Sequence, residues 1–214
     1  MNESIRNAGR AVFLDRDGVI CENRADHVKS WSEFRFLPGA KEAVTALSHL
    51  GLPIIVVTNQ AAIGRGLVSA EVVNEINHRM VAEMAAYGGR IDRVFCCPHR
   101  PDEKCSCRKP EPGLLQQAAD EMDINLGRSY LIGDSLADLQ AGQKVGCRNF
   151  LVLTGRGFEQ LLPALHTLGG NFFISRNLLK ATAEILKTEL NIADDLSSQT
   201  YTQHYRQMKP AAII

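Results

Sequence analysis

Short apolar runs alternate with longer amphipathic stretches along most of the chain. Ala11-Val12-Phe13-Leu14 is apolar throughout and stops at Asp15. Pro53-Ile54-Ile55-Val56-Val57-Thr58 shows no polar alternation, the pattern of a strand covered on both faces. Arg93–Cys96, Tyr130–Ile132, Phe150–Leu153 and Phe172–Ile174 give further short strands. Between them, Ala40 to Leu50 places Ala43, Val44, Leu47 and Leu50 at helical spacing, and Gly51 supplies a stop. Ser69 with Val72 predicts a capped helix running towards Ala86, ended by Gly88-Gly89. Gly113–Met122, Ser135–Lys144, Phe158–Leu168 and Leu178–Leu190 complete the helical set. Such alternation predicts right-handed crossovers and an α/β fold: a doubly wound, Rossmann-like parallel sheet with helices on both faces.

Residues 1–190 read as one domain, and 191–214 turn polar and form a tail with no assigned role. Two segments interrupt the rhythm. Val19 to Leu37 is long and polar, and Cys97 to Pro112 holds four prolines and several charges. Loops this long in a compact domain usually carry function. No inserted domain follows the first or second strand, so any cap over a site is a minimal one made of loops. Lys+Arg and Asp+Glu each number 24, which supplies no net field for nucleic acid or an anionic membrane. No apolar run approaches the ~18 residues of a membrane span. The first ten residues lack the apolar core of a signal peptide, so a cytoplasmic protein is expected. Of six cysteines, Cys96, Cys97, Cys105 and Cys107 crowd together, which suits thiols or metal ligands in a reducing compartment.

In open parallel sheets, ligands bind beyond the carboxyl ends of the strands. Asp15-Arg16-Asp17-Gly18 follows the first strand, Thr58-Asn59-Gln60 the second, and Gly133-Asp134-Ser135-Leu136-Ala137-Asp138 the strand at Tyr130. Taken one at a time, these serve equally well as a surface turn, a strand end and a helix cap. Arg108-Lys109 before a helix is equally compatible with solvent exposure. Together they would bring Asp15, Asp17, Asp134, Thr58 and Lys109 to one rim. Carboxylates cluster stably around a cation, and oxygen ligands of this kind suit Mg²⁺. The usual phosphate loops are absent, since Gly64-Arg65-Gly66 is too short for a dinucleotide fingerprint. Cys97-x-His99 and Cys105-x-Cys107 offer three thiolates and an imidazole, a donor set for structural zinc. Reduced thiols beside an incidental histidine, or Cys96 in place of one ligand, fit the same spacing.

In order, Asp15-Arg16-Asp17-Gly18, Thr58-Asn59-Gln60, Arg108-Lys109-Pro110 and Gly133-Asp134-Ser135-Leu136-Ala137-Asp138 resemble the four motifs of the haloacid dehalogenase superfamily. With Cys97-Pro98-His99 and Cys105-Ser106-Cys107, residues 11 to 157 resemble the heptose-bisphosphate phosphatase and histidinol-phosphate phosphatase branch. The resemblance implies a small sugar-phosphate substrate and an aspartyl-phosphate mechanism. Asp15 would be the nucleophile and Asp17 the acid and base. Asp15, the Asp17 backbone carbonyl and Asp134 would hold Mg²⁺. Asn23, Thr58, Asn59, Gln60, Arg65, Arg108 and Lys109 would contact substrate, with the sugar met along Asn23 to His27, and Cys97, His99, Cys105 and Cys107 would hold Zn²⁺ in a loop spanning 97–107. The chain departs from the family pattern at Val19, Cys21 and Ser135, where a hydroxyl, an amide and a lysine are usual; this bears on substrate choice.

A monomer with neither nucleic-acid nor membrane partner is expected. A zinc-loop binding module without catalysis is the non-enzymatic alternative, and a phosphomutase would need a larger cap to exclude water. Trp31 and Phe34 are expected to pack the 19–37 segment onto the body. His49, His78 and His166 read as surface positions, and Cys147 as core.

Overall fold

The computed structural model describes residues 9–191. Six strands form one sheet: β1 (Val12–Leu14), β2 (Ile54–Asn59), β3 (Arg93–Cys97), β4 (Tyr130–Gly133), β5 (Arg148–Val152) and β6 (Phe173–Ser175). Their order is β3-β2-β1-β4-β5-β6, and every neighbouring pair is parallel. β1 lies at the centre, with Phe13 opposite Ile55 on one side and Leu131 on the other. The chain winds outward from β1 to β3, then crosses back to β4 and winds the other way. The crevice beyond the ends of β1 and β4 is the topological switch point, where ligands bind in this architecture.

The helices are α1 (Ala40–Ser48), α2 (Ala61–Gly64), α3 (Ala70–Ala86), α4 (Gly113–Met122), α5 (Leu136–Lys144) and α6 (Gly157–Leu168), followed by α7 over 178–191. Side chains alternate across the sheet, which explains why its strands are apolar without interruption. Val12, Leu14, Ile54 and Val56 pack on one face with Val44 and Leu47 of α1, Met80 and Met84 of α3, and Ala181 and Ile185. Phe13, Ile55, Val57 and Leu131 meet Leu114, Leu115 and Ala118 of α4 on the other. Each such fully buried aliphatic side chain contributes about 1.5–3 kcal/mol of transfer free energy.

Several boundaries differ from the sequence reading by one or two residues. Ser135 sits just outside α5 as its cap rather than as its first residue, its hydroxyl accepting from the Asp138 amide, while Ser69 caps α3 as expected by accepting from the Val72 amide. β5 begins two residues earlier than its apolar run, because the Arg148 amide already donates to Ser129. The one-turn helix α2 was not expected; it is too short to show a period. The 19–37 segment folds onto the first face: Val19, Ile20, Cys21, Val28 and Phe34 are buried, and Trp31 stacks on Phe34 with ring centroids 4.9 Å apart. His49, His78 and His166 are exposed, and Cys147 lies in the core under α4 and α5. Among the described residues no helix is long and apolar enough to cross a membrane. Apart from residue 191, the polar tail lies outside the described residues.

Candidate active site

Asp15, Asp17, Asn23, Thr58, Asn59, Gln60, Arg108, Lys109 and Asp134 all line one cavity of about 210 Å³ at the switch point. Lys109 organises it. Its ammonium, 3% exposed, donates to Asp15 Oδ1 at 2.8 Å and to the Val57 carbonyl at 2.7 Å, and pairs with Asp138 Oδ1 at 2.5 Å. Burial opposes its charge, but the two carboxylates outweigh that effect and hold Lys109 above the ordinary lysine range. Its backbone is clamped by the Asn59 side chain, which donates to the Lys109 carbonyl at 3.0 Å and accepts from the Lys109 amide at 3.1 Å. Asn59 therefore spends its amide on placing Lys109.

Asp138 was left out of the site by the sequence reading. Its other oxygen accepts from the Ser135 amide at 3.1 Å and the Ser135 hydroxyl at 2.5 Å. The Ser-x-x-Asp spacing marks an acidic helix cap, and nothing local shows that the remaining oxygen faces Lys109. Ser135 itself is absorbed in this cap.

Asp15 and Asp134 carry the electrostatic tension of the site. Burial first, then Asp138 and Asp17, push Asp15 up to about 7 against the pull of Lys109. Burial, then Asp15 and Asp138, push Asp134 up to about 8, although the Arg156 amide donates to its Oδ2 at 2.8 Å. Carboxylate oxygens of Asp15, Asp134 and Asp138 lie within 4.8 Å of one another. One ammonium cannot neutralise three carboxylates. Among the described residues, Asp15 Oδ2 and Asp134 Oδ1 have no hydrogen-bond donor. The pair thus fits a hard divalent cation bound by oxygen. Glycine is required around it: Gly18 (φ +88°) and Gly155 (φ +57°) approach so closely that a Cβ on either would collide with Asp134 Oδ2.

Asp17 points elsewhere. Its carboxylate accepts from Arg16 Nη2 at 3.1 and 3.0 Å, from Gln60 Nε2 at 2.6 Å and from the Cys21 thiol at 3.4 Å. Its side chain stands outside the Asp15–Asp134–Asp138 group. Gln60 also donates to Thr58 Oγ1 at 2.9 Å, which leaves the threonine proton free to point into the cavity. Arg65 departs from the expectation: it is exposed, does not line the cavity, and among the described residues its side chain reaches only His27 Nε2 at 3.5 Å. The rim also contains Arg24 and His27, which fall in the Asn23–His27 stretch expected to meet the sugar, and Ser135 and Arg156, which the sequence did not single out as contacts. Val19 and Cys21 are buried and neither lines the cavity, so these two departures from the family pattern do not face it.

Cys97, His99, Cys105 and Cys107 gather at the end of β3. Their sulfur and Nδ1 atoms lie 3.3–3.6 Å apart along five edges. Disulfide sulfurs would sit at ~2.05 Å, whereas a tetrahedral zinc with bonds of ~2.3 Å sets edges near ~3.8 Å. All four groups therefore stand as a closed metal cage would place them, and Cys96 stands apart. Burial pushes Cys107 up to about 12, and hydrogen bonds from Cys107 and backbone amides bring Cys105 down to about 7 against burial. Arg108 Nη1 donates to the His99 carbonyl at 3.1 Å, so this loop also holds the strip that carries Lys109.

The Hydrolase_like family model, described as HAD-hydrolase-like, matches residues 106–171. The D-glycero-β-D-manno-heptose-1,7-bisphosphate 7-phosphatase of Bordetella bronchiseptica is 40% identical over 152 residues, 71% of this chain and 85% of that protein. The enzyme of the same name from Neisseria meningitidis serogroup A is 35% identical over 178 residues, 83% of this chain and 95% of that protein. The crystal structure of the B. bronchiseptica D,D-heptose 1,7-bisphosphate phosphatase with magnesium and phosphate superposes with a TM-score of 0.79 at 35% identity, covering 84% of this chain and 99% of that one. With this fold and this rim of carboxylates, the chain belongs to the haloacid dehalogenase-like hydrolases, in the heptose-1,7-bisphosphate 7-phosphatase family of phosphoric monoester hydrolases.

Proposed function

We propose that this chain is a Mg²⁺-dependent phosphatase that removes the 7-phosphate of D-glycero-D-manno-heptose 1,7-bisphosphate, in nucleotide-heptose biosynthesis, through a phosphoryl group carried on Asp15. The observation that carries the chemistry is the buried Asp15–Lys109–Asp134 arrangement at the switch point. The substrate rests on relatives of that named activity, matched over most of their length. Asp15 and Asp134 would hold Mg²⁺, which when bound offsets repulsion between the nucleophile and a phosphate dianion.

An oxygen of Asp15 attacks phosphorus in line as the bond to the sugar oxygen breaks, which divides hydrolysis into two easier displacements. Asp17 gives a proton to the departing oxygen, then takes one from the water that releases phosphate from Asp15. Lys109 and the Thr58 hydroxyl bind the remaining phosphoryl oxygens, where charge spreads in the transition state. Asp138 and Asn59 keep Lys109 in place for that task. Cys97, His99, Cys105 and Cys107 would hold a structural Zn²⁺; four protein ligands would leave no open position, so the ion would order the strip bearing Arg108 and Lys109. Arg108, Asn23 and the rim arginines Arg24 and Arg156, which line the cavity, would meet the sugar and its second phosphate. The enzyme acts as a cytoplasmic monomer on this small molecule, without nucleic acid or membrane.

The test is kcat/KM for the heptose bisphosphate and for histidinol phosphate, each with and without Mg²⁺. A preference of about 100-fold or more for the heptose ester, lost without Mg²⁺, is expected from a site that must pair the polar groups of its substrate. Equal rates, or a preference for histidinol phosphate, would replace the substrate assignment.

A further inference from the structure

Arg16 has no part in the chemistry above, yet its side chain is fully buried. Nη2 holds both oxygens of Asp17, and Nη1 donates to Asn77 Oδ1 at 3.0 Å, a buried side chain of α3. Nε has no partner among the described residues. Burying a guanidinium with an unmet N–H is costly, and apolar groups in place of a buried ion pair are often neutral or stabilising. Stability therefore gives little reason for this arrangement. Orientation does. A guanidinium is a rigid plane with fixed donor directions, so fixing Nη1 on Asn77 fixes the place of Nη2. Gln60 and Cys21 hold the same carboxylate from other sides, and the Asp17 side chain keeps 21% exposure.

We infer that Arg16, braced on α3 by Asn77, is a positioning residue that aims Asp17 at the leaving oxygen of the bound ester. This inference rests on Asp17 acting as proposed above. In that step the electron pair of the breaking P–O bond stays on the sugar oxygen, which receives the Asp17 proton. An alkyl leaving group needs that proton, whereas a nitrophenolate departs as a stable anion without it. Misaiming Asp17 should therefore penalise alkyl esters selectively. A role in folding alone would lower both together.

The experiment compares Asn77→Ala, Arg16→Lys and Asp17→Asn with the unaltered full chain, using heptose bisphosphate, glycerol phosphate and p-nitrophenyl phosphate. The readout is kcat/KM, which reports steps up to phosphoryl transfer to Asp15. Glycerol phosphate keeps an alkyl ester in the comparison even for an enzyme that spares the heptose substrate. Asn77→Ala should lower kcat/KM for the alkyl esters about 10- to 100-fold, and for the aryl ester by about threefold or less. Arg16→Lys keeps the cation, loses the fork and should show the same selectivity; the Asn77 variant answers the question if the buried lysine unfolds the chain. Equal losses on alkyl and aryl esters, or no loss on either, overturn the positioning role. Equal losses in Asp17→Asn overturn the acid role of Asp17 and this inference with it.

Discussion

Withdrawing Mg²⁺ should make the stability of this protein fall as pH rises. Asp15 and Asp134 begin near 3.8 in the unfolded chain and stand at about 7 and about 8 in the folded one. The folded state therefore binds more protons than the unfolded state between pH 4 and pH 8. Stability falls with pH wherever that holds. The contribution is fully present below about 4 and is lost as pH passes through about 7 to 8. A tenfold difference in proton affinity between the two states corresponds to ~1.4 kcal/mol. The two groups are neighbours and lose their protons as a coupled pair, so the combined loss is several kcal/mol. For a chain of this length each kcal/mol moves Tm by ~2–4 °C, which gives a fall on the order of 10 °C across the window. Saturating Mg²⁺ should remove most of the slope, because the cation takes over the work of the protons. Scanning calorimetry from pH 5 to pH 8.5, with and without Mg²⁺, measures the difference directly. Dialysis should replace chelators, which would also strip a zinc held by the cysteine cage. Asp134→Asn should flatten the Mg²⁺-free slope on its own. A Mg²⁺-free Tm that stays level or rises over this range would refute the electrostatic reasoning.

Cys105→Ser should lose zinc by elemental analysis and lower phosphatase activity, since Arg108 and Lys109 lose their anchor; full zinc content in that variant would contradict the cage. Gly155→Ala places a side chain against Asp134 Oδ2 and Gly18 in a left-handed backbone; about 2–4 kcal/mol of stability should go in denaturant melts, together with Mg²⁺ affinity. An unchanged melt would mean that the loop yields. Asn59→Ala frees the Lys109 backbone and should cut kcat/KM about 10-fold, whereas a change within about twofold would deny the clamp its role.

The strand and helix sequence was legible because the sheet is buried on both sides, so β1, β2 and β4 are written as pure apolar runs that stop at polar residues. The position of Asp15, Thr58 and Asp134 at those stops followed from the same pattern. What stayed hidden depends on contacts between distant segments. Asp138 carries the local signature of a helix cap, and only the fold turns its second oxygen towards Lys109. Arg16 lies in a stretch that serves equally well as a surface turn, and only the fold brings Asn77 of α3 beneath it. Arg65 stands near Thr58 in sequence, but the one-turn helix α2 carries it out to solvent. Val19 and Cys21 read as departures near the substrate, yet the 19–37 segment turns both inward.

The most direct measurement is rapid acid quench during turnover of the heptose bisphosphate with Mg²⁺, followed by peptide mapping. The phosphoryl group should be found on the peptide containing Asp15, and the Asp15→Asn protein should carry none and release no phosphate. Steady turnover by that variant, or a phosphoryl group on any other residue, would contradict the account.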